Sequence, residues 1–439
     1  MDVRVIVVVL CAAMASAALG PAGAVAAAGM SVSLVLGFAG ARFAQGTSFV
    51  RESMPSSAKE RTEAAGVPLL WLVAAVVIHW MMAVALHSTG IGMTLAPDQA
   101  LYEMWGDLLL ANWESRVPRD LSGVVGYNEL SIYYAANAVV RFFSGRNSSF
   151  VISLVNGVVA TVAAKLAADI AGRLSGSAAQ KVTFLLAALW PTMVVYSSLN
   201  LRDAFGWMFI MLVYSSALRL RQGLSVISAI SLIAGLAGVG LIRPYVLALV
   251  LSGLMASLVV TRLRHIPYAA IFLLVTILAA GLLGERFGLS RELFSMRSLE
   301  LMESHRQNLN FGGSAAGDFG GDVSSVSGAL SYLPRGLLFF LLSPFPWDIR
   351  NLRQMLVLPE LIVWYGVVIL GLRGAVSLFR RAPEAGVLAV PTLALTSAYA
   401  LVEGNAGTAN RHRAQVALVF FIFAAEGLMR VLPARRPSS

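Results

Sequence analysis

Residues 68–87 read Pro-Leu-Leu-Trp-Leu-Val-Ala-Ala-Val-Val-Ile-His-Trp-Met-Met-Ala-Val-Ala-Leu-His, twenty residues without one Asp, Glu, Lys or Arg. A helix of this length is about 30 Å long, which matches the hydrocarbon core of a bilayer. The run therefore predicts a membrane-spanning helix. Comparable apolar runs predict about twelve spans in all, near residues 5–19, 22–38, 68–87, 148–171, 182–199, 204–220, 224–242, 244–262, 267–284, 358–377, 386–402 and 414–431.

The composition of the 439-residue chain supports this interpretation. Apolar residues make up 58% and charged residues 13%, against about 25% charged residues in soluble proteins, which excludes a soluble fold. Continuous apolar runs also exclude a transmembrane barrel, whose strands alternate polar and apolar residues. We therefore expect an all-α polytopic membrane protein. The lone Cys11 and five scattered His residues argue against a disulfide or a Cys/His metal site.

The distribution of basic residues predicts the orientation. One set of connections between spans holds seventeen Lys and Arg residues, whereas the opposite short connections hold Arg202, Arg243, Arg411 and Arg413 alone. Because Lys and Arg concentrate in cytoplasmic connections, we expect both termini to be cytoplasmic. The long segments 88–147 and 285–357 then lie outside, provided that the apolar residues 336–342 are re-entrant or interfacial. Fifteen of the 23 acidic residues fall on or near this outer side.

The predicted organisation has four parts. Residues 1–67 form an N-terminal helical hairpin and a cytoplasmic loop, residues 68–285 the core with the first outer loop at 88–147, residues 286–357 a second outer loop, and residues 358–439 the C-terminal helices. The first apolar run also has features of a signal peptide. A second apolar run follows it at once, which favours the hairpin.

The first outer loop has the pattern of a surface helix. Asp98 is a candidate helix N-cap, because Asp accepts hydrogen bonds from the backbone N–H groups of a first turn. Tyr102, Trp105 and Leu109 share one face, and Glu103 and Asp107 share another, at i, i+4 spacing. This pattern is typical of an amphipathic helix at the membrane surface. A second amphipathic stretch follows at 130–143.

Arginines occupy three of the short outer connections. Arg202 and Asp203 lie in a connection too short for an ordinary solvated loop, Arg243 lies in the next, and Arg411 and Arg413 lie in the last. Ionisable groups at such depth are costly unless paired and are candidates for function. A guanidinium binds phosphate oxygens with two parallel hydrogen bonds, so these residues predict a phosphate or pyrophosphate ligand. The alternative is an arginine that extends to the lipid headgroups.

The second outer loop leaves two questions open. Residues 310–322 are rich in glycine but lack the Gly-x-x-x-x-Gly-Lys pattern of a phosphate cradle, so they form either a lid over a cleft or a linker. Residues 332–347 contain three prolines, which break a spanning helix, and several aromatic residues. This stretch either lines a groove for an isoprenoid chain or serves as a packing element.

Several short motifs resemble the GT-C class of integral-membrane glycosyltransferases, over roughly residues 68–285. They are Asp98-Gln-Ala-Leu-Tyr102 after a spanning helix, Gly126-Tyr127 in a long outer segment, Trp190-Pro-Thr with Ser197-Ser-Leu-Asn-Leu-Arg-Asp-Ala, and Arg243-Pro-Tyr. Pro-Phe-Pro-Trp and the closing Gly-Thr-Ala-Asn-Arg-His-Arg are similar to glycosyltransferase 39-like membrane proteins of exopolysaccharide gene clusters. The family's first-loop acid usually has an acidic partner. Here Gln99 follows Asp98, so the partner falls to Glu103 or Asp107.

The resemblance implies a role for each candidate residue. Asp98 is the general base that takes the proton of the acceptor hydroxyl, and Arg202 and Arg243 hold the donor phosphate. Asp203 orients Arg202, and the pair Arg411 and Arg413 joins that pocket or binds an acceptor pyrophosphate. The supporting residues are Tyr102, Glu103, Asp107, Asp203 and Tyr245. No metal ligand is assigned, and a divalent cation is an open possibility.

The expected function is transfer of a sugar from a polyprenyl-phosphate donor to a lipid-linked glycan or another cell-envelope acceptor. The expected location is the inner membrane of a bacterium, with the active face in the periplasm or outside the cell. The expected partners are these substrates and membrane lipids, without nucleic acid. A polymerase of exopolysaccharide or O-antigen repeat units is the alternative, and a lipid-linked sugar transporter or flippase is a third possibility, although no inverted repeat is visible.

Overall fold

The computed structural model describes residues 66–116, 132–145, 148–261, 303–304, 306–307, 321–348 and 352–431. Throughout these ranges the regular secondary structure is helical, without a strand. Five helices within them are long and apolar enough to cross a membrane, or six if one bent pair counts as a single span. For the described residues, the prediction of an all-helical protein with several helices that could cross a membrane is therefore confirmed. The spans predicted near 5–19, 22–38 and 267–284 lie outside the described residues, as do Gly126, Tyr127 and residues 310–320.

The described helices follow the apolar runs of the sequence closely. In chain order they are α1 (Leu69–Thr89), α2 (Ile91–Leu95), α3 (Asp98–Trp113), α4 (Ile132–Ser144), α5 (Ser148–Ser175), α6 (Ser177–Leu189), α7 (Pro191–Ser197), α8 (Asp203–Gln222), α9 (Val226–Ile242), α10 (Pro244–Thr261), α11 (Val326–Leu342), α12 (Leu352–Arg381), α13 (Gly386–Val402) and α14 (Ala406–Val431). Short 3₁₀ turns lie at Pro346–Asp348 and Pro383–Ala385. The chain divides into two compact units: unit 1 is Met1–Leu166 with Ala188–Phe209, and unit 2 is Ala167–Ala187 with Ile210–Ser439.

Local sequence explains where several of these helices begin and end. Helix α1 ends at Gly90, whose φ of 68° is the left-handed conformation that glycine adopts without strain. The span predicted at 182–199 is broken into α6 and α7, which are bent by 52°. Pro191 is the first residue of α7 and has no N–H to continue the hydrogen bonds of α6.

The prediction that Asp98 is the N-cap of its helix is wrong by one position. Helix α3 begins at Asp98 itself, Pro97 precedes it, and no side chain caps the first turn. The proline fits this position because a helix N-terminus tolerates a residue without an N–H. The carboxylate of Asp98 therefore lies in the first turn, where the helix dipole favours negative charge.

Helix α11 differs from the helix-breaking segment expected at 332–347. It continues through Pro334 and ends at Leu342, with Ser343 after it. The hydroxyl of Ser325 accepts a hydrogen bond from the backbone N–H of Gly328 and caps the start of the helix. With 17 residues, α11 is shorter than the roughly 20 residues that a span needs.

The helices of unit 2 approach one another at glycines. A Cβ atom added at Gly374 of α12 would collide with the carbonyl oxygen of Phe423 in α14, and one at Gly427 would collide with that of Leu370. Two more helix pairs show the same feature, α10 with α13 at Gly253 and Pro391, and α11 with α13 at Gly336 and Ala400. Small residues that let backbones touch are the usual basis of helix association in membranes, where lipid removes the hydrophobic drive.

The contact between α12 and α14 also contains a buried carboxylate. Glu426 is 2% exposed and accepts hydrogen bonds from the Ser377 hydroxyl at 2.7 Å and from Nε of Arg430 at 2.8 Å. Arg381 forms an ion pair with the same carboxylate. A buried charge is tolerated only when it is paired and hydrogen-bonded, and Glu426 meets both conditions.

Replacing Gly374 by alanine should weaken the packing of α12 on α14, because the new methyl group has no space beside Phe423. We expect a loss of about 1–3 kcal/mol in the free energy of unfolding, as for other overpacked sites. Titration with SDS in mixed micelles measures it. Gly366 of the same helix is the matched control, since an added Cβ meets nothing within 4 Å there. Equal stability of G374A and G366A would contradict the close contact.

Candidate functional site

The candidate residues named from the sequence fall into two groups. Unit 1 holds one group and unit 2 the other. The group in unit 1 consists of Asp98, Tyr102, Glu103, Asp107, Arg202 and Asp203. The group in unit 2 consists of Arg243, Tyr245, Arg411 and Arg413.

The predicted apolar face of α3 is confirmed. Tyr102, Trp105 and Leu109 are buried. The ring of Tyr102 meets that of Tyr133 in α4 edge to face at 5.2 Å, and the ring of Trp105 lies 6.1 Å from that of Tyr134. The two outer-loop helices α3 and α4 thus pack as a pair through aromatic side chains.

The acidic face of α3 is occupied by an arginine of the partner helix. Nε of Arg141 lies 2.8 Å from Oδ1 of Asp107, and its Nη1 lies 3.7 Å from Oε1 of Glu103. Partial burial raises the pKa of Asp107 despite Arg141, which lowers it. These acids therefore join α3 to α4. Among the described residues, no group of three His, Cys, Asp or Glu is placed to hold a metal ion.

The connection between α7 and α8 is held by a buried amide, that of Asn200. Its backbone N–H donates to Oε1 of Gln99 in α3 at 2.9 Å. The side-chain Nδ2 donates to Oδ1 of Asn137 in α4 at 2.9 Å, and Oδ1 accepts from the hydroxyl of Tyr133 at 2.8 Å. Burial raises the pKa of Tyr133 well above its ordinary value, so this phenol keeps the proton that it donates.

Asn156 of α5 holds the same connection from another side. Its Nδ2 donates to the carbonyl oxygens of Leu199 at 2.7 Å and Leu201 at 3.0 Å, and to the Tyr133 hydroxyl at 3.0 Å. Asn156 and Asn200 are both fully buried. Since these bonds reach the backbone on both sides of Asn200, they fix the path of the chain that leads to Arg202.

Helix α1 contributes a histidine to the start of this connection. Nδ1 of His79 lies 2.5 Å from the hydroxyl of Ser197, and its Nε2 lies 3.1 Å from the carbonyl oxygen of Ala188. The hydroxyl of Ser198 donates to the carbonyl oxygen of His79 at 2.8 Å. His79 therefore ties α1 to the end of α6 and to the end of α7, a structural role.

The structure brings the first turn of α3 to the connection that carries Arg202. The guanidinium carbon of Arg202 lies 6.0 Å from the centre of the Tyr102 ring. Tyr102 lies one helical turn after Asp98. Gln99, which binds Asn200, directly follows Asp98. Asp203 is 1% exposed and begins α8. Asp98, the predicted base, and Arg202, the predicted phosphate-binding residue, thus lie on two segments that are joined by direct contacts.

In unit 2, Arg243 lies between α9 and α10 and is 4% exposed. Its Nη1 donates to the hydroxyl of Tyr245 at 2.9 Å, and that hydroxyl lies 3.5 Å from the hydroxyl of Tyr399 in α13. Arg243 and Tyr245, which were both named from the sequence, are therefore in contact. Tyr245 is 36% exposed, so a ligand has access to this side of the cluster.

Arg413 binds the end of α11. It is buried, its Nε donates to the carbonyl oxygen of Phe340 at 2.9 Å, and its Nη2 donates to that of Ser343. These carbonyls belong to the last turn of α11 and the residue after it, which lack partners within the helix. The guanidinium also lies over the Trp364 ring at 5.8 Å. Arg411 is half-buried beside it in sequence.

Sequence reasoning missed the residues that hold the site together. A signal was present in the chain, since amides and histidines inside apolar runs are costly unless they bond across helices. In unit 1 these residues are His79, Gln99, Tyr133, Asn137, Asn156 and Asn200. In unit 2, the imidazole of His412 forms a hydrogen bond with the carboxylate of Glu403, a contact that no spacing rule predicts.

Comparison of the chain with protein-family models, with curated proteins and with solved structures found no match.

Replacing Asn200 by alanine should destabilise unit 1, because the Tyr133 hydroxyl and the Asn137 amide lose a partner in a buried setting. Each such loss costs about 1–3 kcal/mol, so we expect at least about 2 kcal/mol in SDS titrations. The control is S88A, since Ser88 is exposed and bonds only within its own helix among the contacts found. A variant N200A as stable as S88A would rule out the network.

Replacing Arg413 by glutamine should lower stability by about 2 kcal/mol, because hydrogen bonds from a charged donor to buried carbonyls contribute about 1.5–3 kcal/mol. SDS titration measures this loss. R335Q is the control, since Arg335 is an exposed arginine of the α11 helix itself. If R413Q keeps full stability and loses only ligand binding, the contact with α11 is not its role.

Proposed function

We propose that this chain is a membrane glycosyltransferase of the GT-C type. It moves a sugar from a polyprenyl-phosphate donor to a lipid-linked glycan or another cell-envelope acceptor on the non-cytoplasmic face. The observation that carries the proposal is the joining of α3 to the connection between α7 and α8. Gln99 binds Asn200 and Tyr102 lies beside Arg202, so the helix that carries Asp98 is joined to the connection that carries Arg202.

The two side chains have complementary tasks in sugar transfer. Asp98 accepts the proton of the acceptor hydroxyl as that oxygen attacks the anomeric carbon, a step that general bases accelerate by about 10²–10⁴-fold. Arg202 binds the donor phosphate and stabilises the charge that grows on it as the bond to the sugar breaks. Tyr102 lies against the guanidinium, and the neighbouring carboxylate of Asp203 orients it.

The proposed membrane arrangement follows from the same chemistry. Twelve spans place both termini in the cytoplasm of a bacterium and the segments 88–147 and 285–357 outside its inner membrane. Helices α3 and α4 then lie at the outer surface of the bilayer. Because a polyprenyl chain stays within the membrane, the phosphate and the sugar of the donor reach the enzyme at this interface. Arg243, Tyr245 and Arg411 offer a further anion-binding group in unit 2.

Replacing Asp98 by asparagine should reduce transfer about 10²–10⁴-fold, because the amide cannot take up a proton. R202Q should reduce it about 10²–10³-fold, in the range of a lost charge-stabilising donor. The assay follows radiolabelled sugar from a polyprenyl-phosphate donor into lipid-linked or polymer products in membrane vesicles. E114Q is the control, since Glu114 lies at the exposed end of α3 beside Arg116.

Three results would contradict the proposal. Near-normal turnover by D98N and D98A would remove the base and favour a repeat-unit polymerase that needs no carboxylate. Label that changes its side of the membrane without entering a larger product would indicate a carrier. Equal losses in E114Q and D98N would show that the assay reports general damage to α3.

A further inference from the structure

Helix α11 of unit 2 exposes apolar side chains along one face. Leu330 is 65% exposed, Leu338 is 56% exposed, and Pro334 between them is exposed as well. Their spacing of four residues places the three side chains on the same side of the helix. Arg335 is the one charged residue of α11. The outer face of a helix that lies in water is charged or polar, so this composition indicates another environment.

The opposite face of α11 crosses α13 at a steep angle. Leu401 of α13 packs against the buried cluster that contains Tyr332, and the ring of Tyr399 stacks on that of Phe340 with centres 5.5 Å apart. From Tyr332 to Phe340 the axis of α11 advances by about 12 Å, whereas α13 advances by about 3 Å from Tyr399 to Leu401. The two helix axes are therefore far from parallel.

This crossing places α11 at the end of a helix that could span a membrane. Residues Pro383–Val402, which include α13, are long and apolar enough to cross, and Tyr399 and Leu401 belong to the last turn. A helix that lies across this end runs close to the plane of the membrane surface. The length of α11 agrees with this orientation, since 17 residues are too few to span the hydrocarbon core.

The last turn of α11 is held by side chains of α12 and α14. Nε1 of Trp364 donates to the carbonyl oxygen of Leu341 at 2.6 Å, and the hydroxyl of Tyr365 donates to that of Leu342 at 2.9 Å. Arg413 binds the carbonyl groups on either side. Carbonyl groups at a helix end lack partners within the helix, and lipid supplies none. These side chains provide the partners that a helix end beside lipid needs.

The surface of α11 adjoins a surface that faces lipid. Ile362, Ile369 and Leu372 of α12 are exposed, and residues Val357–Arg381 of that helix are long and apolar enough to cross a membrane. Exposed apolar residues on a spanning helix are covered by lipid chains. Because Trp364 and Tyr365 of α12 hold the end of α11, the apolar surfaces of the two helices are neighbours.

An exposed aromatic pair follows α11. Trp347 is 78% exposed, and its ring stacks on that of Phe345 with centres 5.1 Å apart and planes inclined by 6°. Tryptophan is enriched where a protein meets the boundary between lipid and water, because its ring is apolar and its N–H forms hydrogen bonds. The position of Trp347 beside α11 is typical of such an anchor.

We propose that residues 326–348 bind the surface of the lipid bilayer, with α11 in the plane of the membrane. Leu330, Pro334 and Leu338 lie among the upper parts of the acyl chains, and Trp347 lies at the level of the headgroups. Arg335, beside this apolar face, extends to the lipid phosphates. The proposal does not depend on sugar transfer, since contact with lipid requires only this position and composition.

The test uses the fact that Cys11 is the single cysteine of the chain. In a C11S background, L330C, L338C and R335C each receive a nitroxide label, and the full chain is placed in nanodiscs. Power saturation compares collisions with oxygen, which enters lipid, and with a water-soluble nickel chelate. Labels at L330C and L338C should collide mainly with oxygen, at about 5–10 Å into the boundary between headgroups and acyl chains.

Two further positions calibrate this measurement. R335C is the matched control within α11, and its label should collide more with the nickel chelate than the label at L338C does. I369C provides the lipid reference, since Ile369 is an exposed residue of the spanning helix α12, and its label should lie deeper than all others. L330C and L338C test the same face, so either one alone decides the result if the other variant differs from C11S in elution volume or SDS stability.

Two outcomes at L330C and L338C would overturn the proposal. Free collision with the nickel chelate would show that α11 lies in water. Protection from both reagents would show that another segment of this chain or a second copy covers the face in place of lipid. D98N, which tests sugar transfer, should leave the label depths unchanged, so the two proposals fail separately.

Fluorescence quenching tests the position of Trp347 without a label. The emission that is lost in W347F should be quenched more by lipids brominated near the top of the acyl chain than by lipids brominated near its end. W207F is the control, since Trp207 is 1% exposed and its emission should be quenched weakly by both lipids. Emission from Trp347 that neither lipid quenches would place this residue outside the bilayer and overturn its role as an anchor.

Discussion

Direct contact between helix backbones at glycine is the constraint on which unit 2 depends. Inside a bilayer, apolar side chains gain nothing by leaving lipid for one another, so helices associate through close packing and polar contacts. Gly374 and Gly427 remove the side chains that would hold α12 away from α14. Gly253 and Gly336 do the same for α13 against its two partners. The positions of the helix ends follow from these contacts, and the cluster of Arg243, Tyr399 and His412 is one result.

Unit 1 uses polar contacts for the same purpose. Gln99, Asn137, Asn156 and Asn200 are amides that bond across α3, α4, α5 and the connection after α7. Burying an amide without hydrogen-bond partners would cost several kcal/mol. An amide whose partners lie on three helices keeps its hydrogen bonds in only one arrangement of those helices. The network therefore orders the chain next to Arg202 more strictly than apolar packing would.

The sequence predicted the features that depend on local pattern. The apolar run at 68–87 became α1, and the spacing of Tyr102, Trp105 and Leu109 identified the buried face of α3. The bend at Pro191, the continuation of α11 through Pro334 and the start of α3 at Asp98 were missed or misplaced, because neighbouring helices and backbone geometry decide them. Contacts between residues that are distant in sequence could not be predicted. No pattern near Arg413 shows that it binds the end of α11, and none shows that His412 contacts Glu403.

The buried carboxylate of Glu426 changes how the basic residues of this chain should be counted. Arg430 pairs with Glu426 within α14, at i, i+4 spacing, and Arg381 pairs with the same carboxylate across the contact between α12 and α14. Before that contact forms, Arg381 is a separate positive charge on α12, whereas Arg430 and Glu426 already balance each other on α14. Afterwards the three groups together carry a single positive charge. Packing of α12 on α14 thus leaves the net charge unchanged and shares the charge of Arg381 with a carboxylate inside the protein.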